Sequence, residues 1–288
     1  MNKLHRRRLI LSLIPLFVLI LAVYLIPLST IIINSFVGFG GSQTGKFVGF
    51  RNFQRISEDI PKTVITTIIW TMGSVLPALI VGMVLAILFQ EHFRFRKLFL
   101  TLNLLPYSIP LIIVASCWMF IYNQNFGILN VLLKKLNIIE TSIQFINYQR
   151  ALGSVIIARF WRALPFAFIN FYAALTTIPV EYYEAASVDG ASPFHKLINI
   201  TLPSLRSITS TTLIILTVWT FLVFDIIYGM TGGGPVDATR IISIQIYREI
   251  FNMKDLGTAS CWSLIAIVVL MVITVLYWFI LKENKSND

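Results

Sequence analysis

Six apolar runs constrain this chain more than any other feature: residues 9–33, 64–89, 98–122, 151–178, 208–230 and 259–281. Each exceeds the roughly 20 residues a helix needs to cross a bilayer, and far exceeds the roughly 10–14 of a helix buried in a soluble core. Hydrocarbon offers no partner to an unpaired N–H or C=O, so each run has to be helical. Composition agrees, with 57% of the 288 residues hydrophobic and 12% charged, against about 25% charged in soluble domains. The expectation is an all-α polytopic membrane protein of six transmembrane helices, with residues 1–288 as a single domain.

Arg6, Arg7 and Arg8 before the first run give it the look of a signal peptide. Its apolar stretch is too long and no small-residue cleavage site follows, so it reads as a retained first span. With the N-terminus inside, the cytoplasmic pieces are 1–8, 90–97, 179–207 and 282–288, and both termini are cytoplasmic. These pieces hold 11 Lys and Arg against 10 in the three outer loops, so totals barely separate the two sides. Short loops and the first flank weigh most. Lys3, Arg6, Arg7 and Arg8 before span one, and Arg94, Arg96 and Lys97 after span two, favour this orientation. The net charge of +10 thus reports topology. No basic stripe interleaved with aromatics stands outside the membrane to point to nucleic acid.

Catalytic chemistry finds few groups to use. Cys117 and Cys261 lie in or beside apolar spans with no neighbouring ligand, and read as small core residues rather than a disulfide or metal site. His5, His92 and His195 sit at or outside the cytoplasmic face without metal-ligand spacing. The segment Gly40-Gly41-Ser42-Gln43-Thr44-Gly45-Lys46-Phe47 resembles a phosphate-binding loop. Phe47, however, stands where a Ser or Thr must reach magnesium, no strand–helix context surrounds it, and it is placed outside. No ATPase site, cofactor or metal is expected on this chain. A secondary transporter would need ion-coupling carboxylates near the midplane; Asp225 is the only such acid, and no inverted repeat shows.

The long cytoplasmic loop carries more information. Glu184 to Asp189 begins as a helix whose small Ala185 and Ala186 admit close approach of another surface. Gly190 can take the left-handed conformation that ends that helix. Ser192 is a good N-cap and Pro193 suits the first helical position. A second short helix then runs through Phe194, Leu197 and Ile198 until Pro203 interrupts it. Two readings of this helix–turn–helix stand: an apolar knob seated in a groove on a partner protein, or an amphipathic loop on the lipid interface.

Glu184-Ala185-Ala186, three residues, Gly190, nine residues, then Ile200-x-Leu202-Pro203 resembles the EAA loop of binding-protein-dependent ABC importer permeases. Chance produces such a match on the order of once in 10⁸ starting points at average residue usage. Thr231-Gly232-Gly233-Gly234-Pro235, Ile246-Tyr247-Arg248 and Asp255-Leu256-Gly257 are similar to carbohydrate-importer permeases related to the larger membrane subunit of the maltose system. Leu105-Pro106-Tyr107 and the stretch 123–130 fit the same subfamily. The chain looks like a minimal six-helix member, without extra N-terminal spans or a large outer domain. The resemblance implies the MetI-like permease fold of type I importers in a bacterial or archaeal cytoplasmic membrane. It also implies a second homologous permease, two cytoplasmic ATPase subunits that hold ATP and magnesium, and an extracytoplasmic solute-binding protein. The coupling residues it implies are Glu184, Ala185, Ala186, Asp189, Gly190, Phe194 and Leu197.

Charged side chains at membrane depth are costly and normally face a cavity or a partner. Arg159, Arg162 and Asp225 are the clear cases here, and either an Arg–Asp pair across the bundle or direct contact with substrate accounts for them. Matching the family's sugar-contacting positions implies Tyr107, Arg159, Arg162, Ala163, Phe166, Trp219, Thr220 and Val223. The maltose-type pocket is largely neutral, and the two arginines depart from it toward an anionic solute such as a uronic-acid oligosaccharide or a sugar phosphate. Trp118 and Trp262 read as packing residues or interfacial anchors.

Overall fold

The computed structural model describes residues 13–39, 44–90 and 94–281, and among these all regular elements are helices. Lys3, Arg6 to Arg8, His5, His92 and Gly40 to Gln43 lie outside the described residues. Within them, residues 13–61 with 245–269 form one compact unit, and residues 62–244 with 270–281 form another.

In the first unit, α1 (Leu13–Ser35) is apolar all round and buries only its last residue, Ser35. Such a helix is a membrane span rather than one stripe of a soluble core. After it, Gly38 N–H donates to Lys46 C=O at 2.9 Å, Val48 N–H donates to Phe36 C=O at 2.8 Å, and Val37 bridges Phe47 antiparallel. The flanks of the glycine-rich segment thus pair with each other instead of leading from a strand into a helix. The helix α2 (Arg51–Ile56) follows. Its buried Asn52 donates to the carbonyls of Ser35 and Val37, both at 2.9 Å.

At the far end of the chain, Asp255 accepts from the N–H groups of Gly257 and Thr258 at 3.0 and 3.1 Å, capping the last helix, and takes a 2.7 Å ion pair from Arg55. A Cβ on Gly257 would stand 2.6 Å from both Asn52 Nδ2 and the Val37 carbonyl. The Asp255-Leu256-Gly257 motif is therefore a cap followed by a close approach. Replacing Asn52 with Leu leaves the part-buried Val37 carbonyl without its donor and the buried Ser35 carbonyl with only the weak thiol of Cys261 at 3.5 Å. A buried acceptor left unmatched costs about 1–3 kcal/mol. The thermal midpoint of the detergent-extracted protein should fall by several degrees, and an unchanged midpoint would deny Asn52 this role.

In the second unit, α3 (Ile60–Leu88) and α7 (Ala151–Leu175) are long, apolar and keep Pro77 and Pro165 inside them. A Cβ on Gly73 would lie 3.0 Å from Ile156 Cδ1, and one on Gly82 would lie 2.8 Å from Ala167 Cβ. These contacts advance in the same direction along both helices, so α3 and α7 run parallel. Two parallel spans need an odd number of crossings between them. The intervening α4 (Arg96–Ser108) and α5 (Leu111–Ile121), bent by 104°, supply one crossing as a broken pair. The short α6 (Ile128–Lys135) then leads to α7.

Beyond α7 come α8 (Val180–Val188), α9 (Pro193–Ser204) and α10 (Arg206–Leu222), with a 58° bend between the last two. Then follow α11 (Asp225–Met230), α12 (Ile242–Tyr247) and α13 (Leu256–Leu281). Four helices (α1, α3, α7 and α13) are long and apolar enough to cross alone, and six spans result when each bent pair counts as one.

Two expectations need correction. The run 98–122 is not one continuous helix: Ile109 and Pro110 are extended, and the span breaks there. Pro203 does not end the second loop helix. A wider π turn over Leu197–Thr201 precedes it, and the helix runs on to Ser204.

Candidate functional site

Two of the apolar runs, 98–122 and 208–230, break side by side. α4 stops at Ser108 and Pro110 opens α5, where its missing N–H costs nothing. α10 stops at an extended Val223, and Asp225 starts α11. α11 lies so close on α5 that a Cβ on Gly229 would stand 2.7 Å from Ala115 Cβ. Non-helical backbone persists at membrane depth only where protein buries it or where it lines a cavity. Both conditions hold. Trp70 donates its indole N–H to the Thr220 carbonyl at 3.0 Å, and the Ser243 hydroxyl donates to the Val223 carbonyl at 3.1 Å. Beside them opens a cavity of about 440 Å³.

Tyr107 and Leu111 line it from the first break, and Arg159, Arg162, Ala163 and Phe166 from α7. Leu216, Trp219, Leu222, Val223, Phe224 and Asp225 complete the wall. Three rings form a platform: Phe166 lies 4.8 Å from Trp219 and stacks on Tyr107 at 6.1 Å. The Arg162 guanidinium sits 4.4 Å from the centre of the Tyr107 ring, and its Nε is buried without an acceptor. Arg159, 5% exposed, donates from Nε and Nη2 to the Thr220 hydroxyl at 3.1 and 2.9 Å. Asp225 is exposed in the first turn of α11, where a helix N-terminus favours a carboxylate.

Of the pathway residues anticipated from sequence, Tyr107, Arg159, Arg162, Ala163, Phe166, Trp219, Val223 and Asp225 meet in this wall. Thr220 is fully buried behind it, its hydroxyl taken by Arg159. The Arg–Asp pair does not form: among the described residues Asp225 makes no ion pair with Arg159 or Arg162, whereas Arg55 pairs with Asp255 and Arg240 with Asp237. Leu111, Leu216, Leu222 and Phe224 were not anticipated. Only Pro110 beside Leu111 gave a signal in the sequence. Trp118 and Trp262 are packing residues, the first edge-on to Trp161 at 6.0 Å and the second fully buried.

The second candidate region is the turn between α8 and α9. Gly190 has φ +75°, Gly190 N–H donates to Ser187 C=O at 3.1 Å, and Ala191 N–H donates to Ala186 C=O at 2.8 Å. The Ser192 side chain accepts from His195 N–H at 3.3 Å and caps α9. Lys196 Nζ donates to Ser187 Oγ at 2.5 Å, and Tyr183 and Thr201 hydroxyls meet at 3.0 Å, clasping the two helices together. Glu184, Ala185 and Asp189 are exposed, Ala186 and Leu197 are half-buried, and Phe194 is 70% exposed. The knob is preformed and presents apolar surface outward.

Residues 78–282 match the model of the family described as binding-protein-dependent transport system inner membrane component. The chain belongs to this family. It is 33% identical over 234 residues to the trehalose/maltose transport system permease protein MalF of Thermococcus litoralis, covering 80% of this chain and 78% of that one. It is 32% identical over 236 residues to the sn-glycerol-3-phosphate transport system permease protein UgpA of Yersinia pestis, covering 81% and 79% of the two chains. In fold it matches the crystal structure of a bacterial ABC transporter involved in the import of the acidic polysaccharide alginate, with a TM-score of 0.83 and 22% identity over 98% of this chain and 97% of that chain. The chain is thus a multi-pass inner-membrane permease component of a binding-protein-dependent transport system.

Proposed function

We propose that this chain forms half of the translocation pathway of an ATP-driven importer for a sugar, an oligosaccharide or a related solute. The observation that carries the reading is the cavity where two broken spans meet: aromatic platforms for the apolar C–H faces of a sugar, with hydrogen-bonding groups set among them. The names of the relatives, trehalose/maltose and sn-glycerol-3-phosphate permeases, support the solute class. The whole of residues 1–288 acts as one permease domain in a cytoplasmic membrane, with both termini cytoplasmic. The chain itself hydrolyses nothing and holds no cofactor or metal. ATP and magnesium belong to a pair of cytoplasmic ATPase subunits.

In this reading the preformed turn between α8 and α9 is the coupling element. Glu184 holds the loop or pairs with a basic ATPase residue, Ala185 and Ala186 admit close approach, and Asp189 and Gly190 form the turn. Phe194 and Leu197 give the buried contact. Closure of the ATPase pair on ATP moves this element and switches the bundle between two states, each favoured by one ligand. A solute-binding protein docks on the outer face; a solved relative in fold is a complex with an alginate pentasaccharide-bound periplasmic protein. Gentle detergent extraction of the tagged chain should recover a second permease and a soluble ATPase in stoichiometric amounts by mass spectrometry. A chain that purifies alone, under conditions that preserve known complexes, would return the secondary-transporter alternative to first place.

A further inference from the structure

We propose that the cavity between the two broken spans selects an anionic carbohydrate, one carrying a carboxylate or a phosphate ester, and that Arg162, with Arg159 behind it, supplies the countercharge. The proposal deepens the importer reading and rests on it.

A guanidinium presents five N–H donors and is always charged. Two arginines elsewhere in the molecule have acidic partners, Arg55 with Asp255 and Arg240 with Asp237, whereas Arg96, outside the cavity, rests on the Tyr172 ring and donates to its hydroxyl. The two cavity arginines have no acidic partner. Arg159 directs two donors at one neutral hydroxyl, and Arg162 sits over the Tyr107 ring with a buried Nε that meets no acceptor. Asp225 is the one acid in the cavity wall and pairs with neither, so the wall carries two positive charges against one negative.

Cations at membrane depth that lack a protein partner mark a pathway for a charged ligand. The hydroxyls of a neutral sugar can accept from the Arg162 donors, but they leave its charge without a countercharge at the point where bulk water is displaced. A carboxylate or phosphate accepts from a planar guanidinium fork in a bidentate manner that no hydroxyl reproduces. Trp219 and Phe166 then take the apolar face of the ring, and Asp225 accepts from its hydroxyls. Three requirements of an acidic sugar are thereby met by three different groups in one wall.

The test uses the whole importer with its binding protein in ATP-loaded proteoliposomes, offered labelled galacturonate disaccharide, sn-glycerol-3-phosphate and maltose in parallel. The wild type should take up an anion in preference to maltose, and which anion it takes separates a carboxylate from a phosphate. Arg162→Gln, which keeps a polar group but removes the charge, should cut that uptake by about tenfold while the complex still assembles. Maltose uptake by the wild type as fast as that of either anion overturns the proposal without touching the importer reading. So does anion uptake by the variant within about twofold of wild type. Uptake that ignores ATP overturns the importer reading and this proposal with it.

Discussion

Gly190→Val should leave the chain inserted and bound to its partners while uptake falls by an order of magnitude. Gly190 holds φ +75°, and a Cβ built there meets nothing within 4 Å. The cost of a side chain is therefore one of backbone conformation alone. An L-residue in the left-handed region costs roughly 1–2 kcal/mol, with β-branched residues at the upper end, which shifts the population of the formed turn by a factor of about 5–30. The turn sets where Phe194 stands relative to Glu184, Ala185 and Ala186, so its loss detaches the knob from the helix before it. ATP hydrolysis by the assembled complex should continue but cease to respond to the loaded binding protein. Gly190→Asn provides the control, because asparagine tolerates the left-handed region. It should retain most of the uptake. If the valine variant transports normally, the turn is not the coupling element.

The same loop shows what a sequence can and cannot disclose. Its cap, its left-handed glycine and its second helix were legible because each rests on chemistry local to a few residues: Ser192 before Pro193, and Gly190 after a helical run. The helix did not stop at Pro203, because a π turn over Leu197–Thr201 accommodates the proline. The apolar runs were legible for a different reason, the absence of any alternative for an unsatisfied backbone in lipid. The break in span five was not. Leu222, Val223 and Phe224 are ordinary apolar residues, and what stabilises the open backbone there is remote in sequence: the Trp70 indole on the Thr220 carbonyl and the Ser243 hydroxyl on the Val223 carbonyl. The cavity inherits that blindness. Its α7 wall was readable from two arginines at membrane depth, but Leu111, Leu222 and Phe224 enter it only because two breaks coincide.

Helix packing supplies the second large effect, through two glycines whose substitution should act in opposite directions. Gly82 of α3 sits against α7 so closely that a Cβ would meet Ala167 Cβ at 2.8 Å and the Phe168 backbone nitrogen at 2.9 Å. Neither neighbour is the free end of a flexible side chain, so the helices have to part. Around the contact lie Val75, Ala78, Leu79, Ala86, Phe168 and Phe171, all buried in one cluster with little room to repack. Small residues at a crossing are how membrane helices gain packing contact, since lipid offers no hydrophobic drive to bring them together. Gly82→Ala should cost about 1–3 kcal/mol, as overpacking does, seen as a lower thermal midpoint of the extracted complex. Gly82→Val, larger and branched, should prevent recovery of a folded chain. Gly153 lies on α7 itself, exposed, with nothing within 4 Å of a built Cβ. Gly153→Ala should leave the midpoint unchanged or raise it slightly, through lower chain entropy in the unfolded state. A Gly82→Ala variant as stable as Gly153→Ala would mean that α3 and α7 do not cross at Gly82. The parallel arrangement of spans two and four, and with it the single crossing assigned to the broken α4–α5 pair, would then lose its support.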